Sequence, residues 1–127
     1  MPVKPILKYL RDIESAFNKL ESCYIERYEE ETLTPDWVNI RIRARFSNGY
    51  ILEWNESVIT EGENINHLGY RYHFQDKDNK IIFRYDNTPH FPQLETFPNH
   101  KHLPGNVVAA NRPAVFEVLS EVEEFLV

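Results

Sequence analysis

Histidine and arginine crowd one part of this chain. His90, His100 and His102 fall in a proline-rich segment, with Lys101 between the last two. Upstream stand Arg71 and His73, then the run Arg84-Tyr85-Asp86-Asn87. Imidazole ordinarily titrates near neutrality, so it gives and takes protons at physiological pH. Guanidinium offers a planar fork of donors that matches phosphate oxygens. Such a set can supply RNA strand scission without a metal: a base for the 2′ hydroxyl, an acid for the leaving 5′ oxygen, and cations for the phosphorane. On this reading His73, His90 and His102 are the proton carriers. Asp86 orients a histidine or acts as a base. Arg71, Arg84 and Lys101 carry phosphate and transition-state charge, with Tyr85, Asn87 and His100 as binding neighbours. No cofactor is expected.

Two other chemistries use overlapping residues. Asp86, His90, His100 and His102 could hold a divalent ion in a metal-dependent nuclease or hydrolase, although their spacing matches no strict zinc pattern. Alternatively, arginines and aromatic rings could hold single-stranded nucleic acid without cleaving it.

Composition bounds the setting. A chain of 127 residues, 42% apolar and 13% aromatic, is long enough for one domain with its own core. A single cysteine, Cys23, excludes an internal disulfide and a Cys-rich zinc site. No apolar run approaches a bilayer span. The N-terminus carries charges where a signal peptide needs an apolar stretch, so a cytoplasmic protein is expected. The net charge of −6 is an average. Residues 1–36 hold 5 basic and 8 acidic side chains, and residues 113–127 hold 4 acidic and no basic ones. Residues 66–112 hold 6 basic, 4 acidic and all five histidines. Global acidity therefore does not exclude a nucleic-acid partner.

The elements that must position these residues follow from periodicity. Ile6, Leu10, Ile13, Phe17, Leu20 and Tyr24 recur at helical spacing, which predicts one long helix over residues 6–31. Glu29, Glu30 and Glu31 oppose the dipole at its far end. From Val38 to Phe46 the period becomes two, with Arg41, Arg43 and Arg45 on the polar side. Ser47-Asn48-Gly49 is a turn, and Tyr50 to Val58 returns, placing Arg43 opposite Glu53. Thr60–Asn66 reads as a loop. Leu68–Phe74 and Ile81–Tyr85 form a second hairpin. Pairing Phe74 with Ile81 would set Arg71 against Arg84 and His73 against Ile82. Residues 87–112 read as a long loop, with a short fifth strand near Val107–Ala110. A helix closes the chain from Arg112 to Leu126, with Pro113 in its first turn. The expectation is an α+β domain over residues 1–127: a long N-terminal helix, four or five antiparallel strands, a Pro-rich loop and a C-terminal helix.

Three blocks resemble a known family. Tyr70-Arg71-Tyr72-His73, Phe83-Arg84-Tyr85-Asp86-Asn87-Thr88-Pro89-His90 and Thr96-Phe97-Pro98-Asn99-His100-Lys101-His102 resemble the TumE-like toxins of bacterial toxin–antitoxin systems. The family pattern runs approximately Y-R-Y-H, R-Y-D-N-A-P-H-H-P and F-P-H-H-K-H, and the resemblance covers mainly residues 66–104. Thr88 stands where the family usually has Ala, and Phe91 and Asn99 where His is common. The resemblance implies a small toxin neutralised by a helix-turn-helix antitoxin. The helix-then-antiparallel-sheet layout, by fold analogy alone, also looks like the small metal-independent ribonuclease toxins of the RelE-like and barnase-like group.

Overall fold

The computed structural model describes residues 1–126. Its centre is one seven-stranded antiparallel sheet in which every strand pairs with its neighbour in sequence. The strands are β1 (Cys23–Thr34), β2 (Trp37–Phe46), β3 (Ile51–Glu61), β4 (Asn64–Gln75), β5 (Ile81–Asp86), β6 (His100–Leu103) and β7 (Asn106–Ala109). Two short helices, α1 (Lys4–Asn18) and α2 (Val115–Glu124), flank this run. The protein is thus mostly β. The expected long helix with four or five strands, and its RelE- or barnase-like layout, are overturned by this seven-strand order.

The largest departure lies at the N-terminus. α1 buries Ile6, Leu10, Ile13 and Phe17 and ends at Asn18. The chain then turns through Ser22, whose φ is +56°. Tyr24, the next member of the apparent helical stripe, is 70% exposed. Beyond Ser22 the inward residues are Cys23 and Ile25, at a period of two, and then Tyr28 after a bulge. The glutamates that crowd a helix C-terminus unfavourably are at ease on an exposed edge strand.

The predicted loop at 60–66 is a tight hairpin. β3 and β4 run on until Glu61 faces Asn64, and Gly62 turns the chain at φ +64°. Gly49, at φ +89°, turns β2 into β3 as its residue type suggests. α2 starts later than expected. Pro113 precedes its cap, and the Glu117 carboxylate accepts the Ala114 N–H at 2.8 Å.

Both helices cover the same face of the sheet. Beneath them lie Trp54, Tyr72, Phe74 and Phe83, all at most 1% exposed. Trp54 stacks on Tyr72 with ring centroids 3.6 Å apart. One carboxylate is buried in this layer. Glu56 accepts the Tyr9 hydroxyl at 2.5 Å and the Tyr72 hydroxyl at 2.6 Å, and His67 Nε2 lies 3.3 Å from it. Arg112 donates to the Tyr72 oxygen at 3.3 Å. The cluster joins α1, β3, β4 and the segment before α2. Burial alone would raise the Glu56 carboxyl, but His67 and the two hydroxyls outweigh it and hold it below its usual range.

The opposite face of the sheet is polar. At the β1–β3 end its arginines are neutralised. Arg43 bonds Glu26 and Glu53 at 2.9 and 3.1 Å, Arg45 bonds Glu26 at 2.8 Å, and Arg41 lies 3.9 Å from Glu29. The predicted Arg43–Glu53 pair is present, in the expected register. These three arginines offer no run of unpaired cations to a nucleic acid. At the other end of the sheet Arg71 has no ion-pair partner among the described residues, and Arg84 pairs with Asp86.

Candidate active site

The site is assembled by strand register. In an antiparallel sheet alternate residues share a face, and partners across a pair stand side by side. Asp86 on β5 faces Arg71 on β4 and His100 on β6, while Arg84 faces His73 and His102. The expected pairing of Phe74 with Ile81 is displaced by two residues, because Phe74 pairs with Phe83. A bulge between Phe74 and Gln75 then shifts the pairing by one residue, so that Gln75 faces Ile81. The expected opposition of Arg71 and Arg84 is replaced by Arg71 against Asp86. The like-charge repulsion of the predicted register thus disappears.

β6 lies inside what reads as a structureless loop. Its four residues alternate across the sheet. His100 and His102 point to the polar face, and Lys101 points to the helix face. There Lys101 bonds Glu121 of α2 at 2.6 Å and stands 4.8 Å from the Tyr85 ring centroid. Tyr85 donates its hydroxyl to the same carboxylate at 2.6 Å. Lys101 and Tyr85, predicted to contact phosphate, instead anchor α2. Asn87, predicted beside them, accepts the Tyr70 N–H at 3.1 Å through its side-chain oxygen and tethers the start of the loop.

On the polar face a cleft of about 290 Å³ is lined by Arg71, Arg84, Asp86, Thr88, His90, Phe91, His100 and His102. Asp86 and His100 are buried at its floor, 4% and 1% exposed. Asp86 Oδ1 lies 2.8 Å from His100 Nε2 and accepts the Thr88 N–H at 3.0 Å. Asp86 Oδ2 lies 3.2 Å from Arg84 Nε and 3.3 Å from His102 Nε2. The two histidine Nε2 atoms are 3.1 Å apart. His100 Nδ1 lies 3.0 Å from the Pro98 carbonyl. A carbonyl only accepts, so that ring nitrogen donates. Burial and the Arg84 cation push the His102 imidazole below its ordinary range.

Phe91 packs edge-on against His100 and His102, with centroids at 4.9 and 5.9 Å. Position 91 thus gives the cluster an apolar wall. His90 is exposed at the cleft mouth. Sequence reasoning missed Phe91, Thr88 and the Pro98 carbonyl as parts of the site. Only the alternation in His100-Lys101-His102 hinted at a strand there.

His73 shares the polar face but does not line the cleft. Its Nε2 pairs with Gln75 at 3.0 Å, and its buried Nδ1 has no partner among the described residues. Burial lowers its pKa below 6.5. The cations of Arg71 and Arg84 add to this, while Gln75 and Glu53 partly oppose it. A histidine kept neutral in the fold binds more protons once unfolded. Its effect on stability is therefore neutral above 6.5 and destabilising as the pH falls below that value. His73→Gln should be less sensitive to acid than the parent, read as a smaller fall in urea midpoint from about pH 7 to about pH 5. An unchanged fall would contradict the assignment.

Fold and cleft define a class: a small, mostly β protein with a buried carboxylate–histidine cluster flanked by two arginines. The chain belongs to the TumE toxin family, whose sequence model, described as Toxin TumE, matches residues 10–126. It is therefore the toxin component of a toxin–antitoxin system, and a cognate antitoxin is its partner. No curated protein and no solved structure matches the chain. Among the described residues no helix is long and apolar enough to cross a membrane.

Proposed function

We propose that this toxin is a cytoplasmic endoribonuclease that cuts RNA in the cleft between β4, β5, β6 and the loop before β6. One observation carries the reading. Arg71 and Arg84 line a single cleft with Asp86, His100 and His102, Arg84 holding Asp86 at 3.2 Å, whereas Arg41, Arg43 and Arg45 are paired with glutamates away from any histidine cluster. Two guanidinium forks suit one bridging phosphate and the extra charge of its transition state. The cluster at the floor activates the attacking 2′ hydroxyl. His90 at the mouth returns a proton to the leaving 5′ oxygen. The products are a 2′,3′-cyclic phosphate and a free 5′ hydroxyl. The acidic edge strand β1 and the acidic face of α2 repel RNA elsewhere and leave one productive approach.

The direct test is the pure toxin on free and ribosome-bound RNA. Cleavage should leave cyclic phosphate ends, and a 2′-deoxy residue at the cut should block it. Growth arrest with both RNA pools intact would sink the reading. Arg71→Ala should weaken RNA binding and reduce the slope of log affinity against log salt by roughly 0.7, the share of one phosphate contact to a single strand. Filter binding across a salt series measures this directly.

We propose a helix-turn-helix antitoxin that stops RNA entry to the cleft. Protection of His90 from carbethoxylation in the complex would support that placement, and unchanged reactivity would argue against it.

A further inference from the structure

We propose that Asp86, His100 and His102 bind one first-row transition dication of the Zn²⁺ class, with a coordination position left open to the cleft.

The argument starts from lone pairs. His100 Nδ1 carries a hydrogen, because it faces the Pro98 carbonyl at 3.0 Å. In the neutral ring Nε2 is then a bare acceptor. It points at Asp86 Oδ1, 2.8 Å away, and at His102 Nε2, 3.1 Å away. A carboxylate oxygen and two imidazole nitrogens meet within 4.8 Å of one another. Acceptors that face one another this closely in a buried place need a shared proton or a cation between them, and a dication satisfies all three at once.

The spacing suits such an ion. Zn²⁺ holds histidine nitrogen and carboxylate oxygen at about 2.0–2.2 Å, so two tetrahedral ligand atoms stand roughly 3.3–3.5 Å apart. The two imidazole nitrogens are 3.1 Å apart, and the carboxylate meets them through different oxygens, Oδ1 at 2.8 Å from His100 and Oδ2 at 3.3 Å from His102, so an ion bound by both rings and this carboxylate needs only a small outward shift. The outer contacts have the form metal ligands use. A backbone carbonyl fixes the His100 tautomer, while the Thr88 N–H and Arg84 Nε orient the carboxylate. Two imidazoles and one carboxylate select against Mg²⁺, which prefers oxygen ligands and keeps its waters. Three protein ligands leave a fourth corner, and the cleft lies on that side. The proposal stands on this geometry and not on the RNA reading. If both hold, the open corner faces the phosphate held by Arg71 and Arg84.

The test uses the full chain, stripped with chelator and titrated with Co²⁺ as a visible probe. The expected result is one Co²⁺ per chain with d–d bands, displaced by Zn²⁺ and not by excess Mg²⁺. His102→Ala should weaken binding by roughly 100-fold or more. Lys101→Ala, whose side chain leaves the opposite face, should bind as the parent does. Failure of the wild-type chain to take up stoichiometric Co²⁺ or Zn²⁺ overturns the proposal. So does binding that survives unchanged in His102→Ala. Metal uptake without RNA cleavage would defeat the ribonuclease reading alone, and cleavage by metal-free protein would defeat a catalytic need for the ion.

Discussion

His102→Ala should lower RNA cleavage by roughly 10²–10⁴-fold, the usual loss when a positioned group of the cluster that activates the nucleophile is removed. Lys101→Ala, one residue away, should leave cleavage unchanged. The contrast arises because β6 alternates. His102 stands 3.3 Å from the Asp86 carboxylate on the polar face. Lys101 crosses to the helix face and pairs with Glu121 at 2.6 Å. Loss of that half-buried pair should appear in stability, as a modest fall in melting temperature. Cleavage assays and thermal melts on the two variants check this together. Cleavage lost with Lys101 and kept without His102 would invert the site. The His102 side chain is partly exposed, so its removal leaves the core packing under the helices intact.

Glu56→Ala should destabilise the fold by about 3–5 kcal/mol, the usual loss when one side of a buried charged cluster is removed. The Tyr9 and Tyr72 hydroxyls, His67 and Arg112 would keep their buried positions without the carboxylate that organises them. In a domain whose total stability is of order 5–15 kcal/mol, that is a large share. The melting temperature should fall by roughly 10–20 °C. Tyr72→Phe should cost less, about 1–3 kcal/mol, because it removes one hydrogen bond to an oxygen that keeps His67 at 3.3 Å. The same carboxylate gives a pH signature. Its folded pKa lies below its ordinary 4.5, so its stabilisation is present above 4.5 and is lost as the pH falls through the folded value. A Glu56→Ala protein that melts with the parent would show that the cluster contributes nothing to stability.

These two predictions fall on opposite faces of the sheet, and the two faces were unequally legible. Period-two alternation assigned Val38, Ile40, Ile42 and Ala44 to the core and Arg41, Arg43 and Arg45 to the polar side, and all are so placed. The Arg43–Glu53 register followed from a short turn that permits few alternatives. The β4–β5 register did not. A slip of two residues keeps every side chain on its own face, so hydrophobic pattern cannot detect it. Yet that slip decides whether Arg71 meets Arg84 or Asp86, and with it the electrostatics of the cleft.

The Glu56 cluster had no sequence signal at all. Its members come from residues 9, 56, 67, 72 and 112, and each reads singly as an ordinary surface or core residue. The N-terminal misreading has a different cause. Leu20 and Tyr24 prolong a helical spacing by coincidence, and the three glutamates that follow were the sign against it.

The sequence by itself determined which residue types are available for chemistry, that Arg84, Asp86 and His102 share a region, and that the blocks around them resemble the TumE toxins. Only the tertiary structure decided which of those residues meet. His100-Lys101-His102 is too short to declare a strand alone. It becomes one by pairing with β5 on one side and β7 on the other. That pairing turns two histidines toward Asp86 and sends Lys101 to α2. The physical reason is that alternation fixes a side chain's face locally, while its neighbours are set by register with strands distant in sequence.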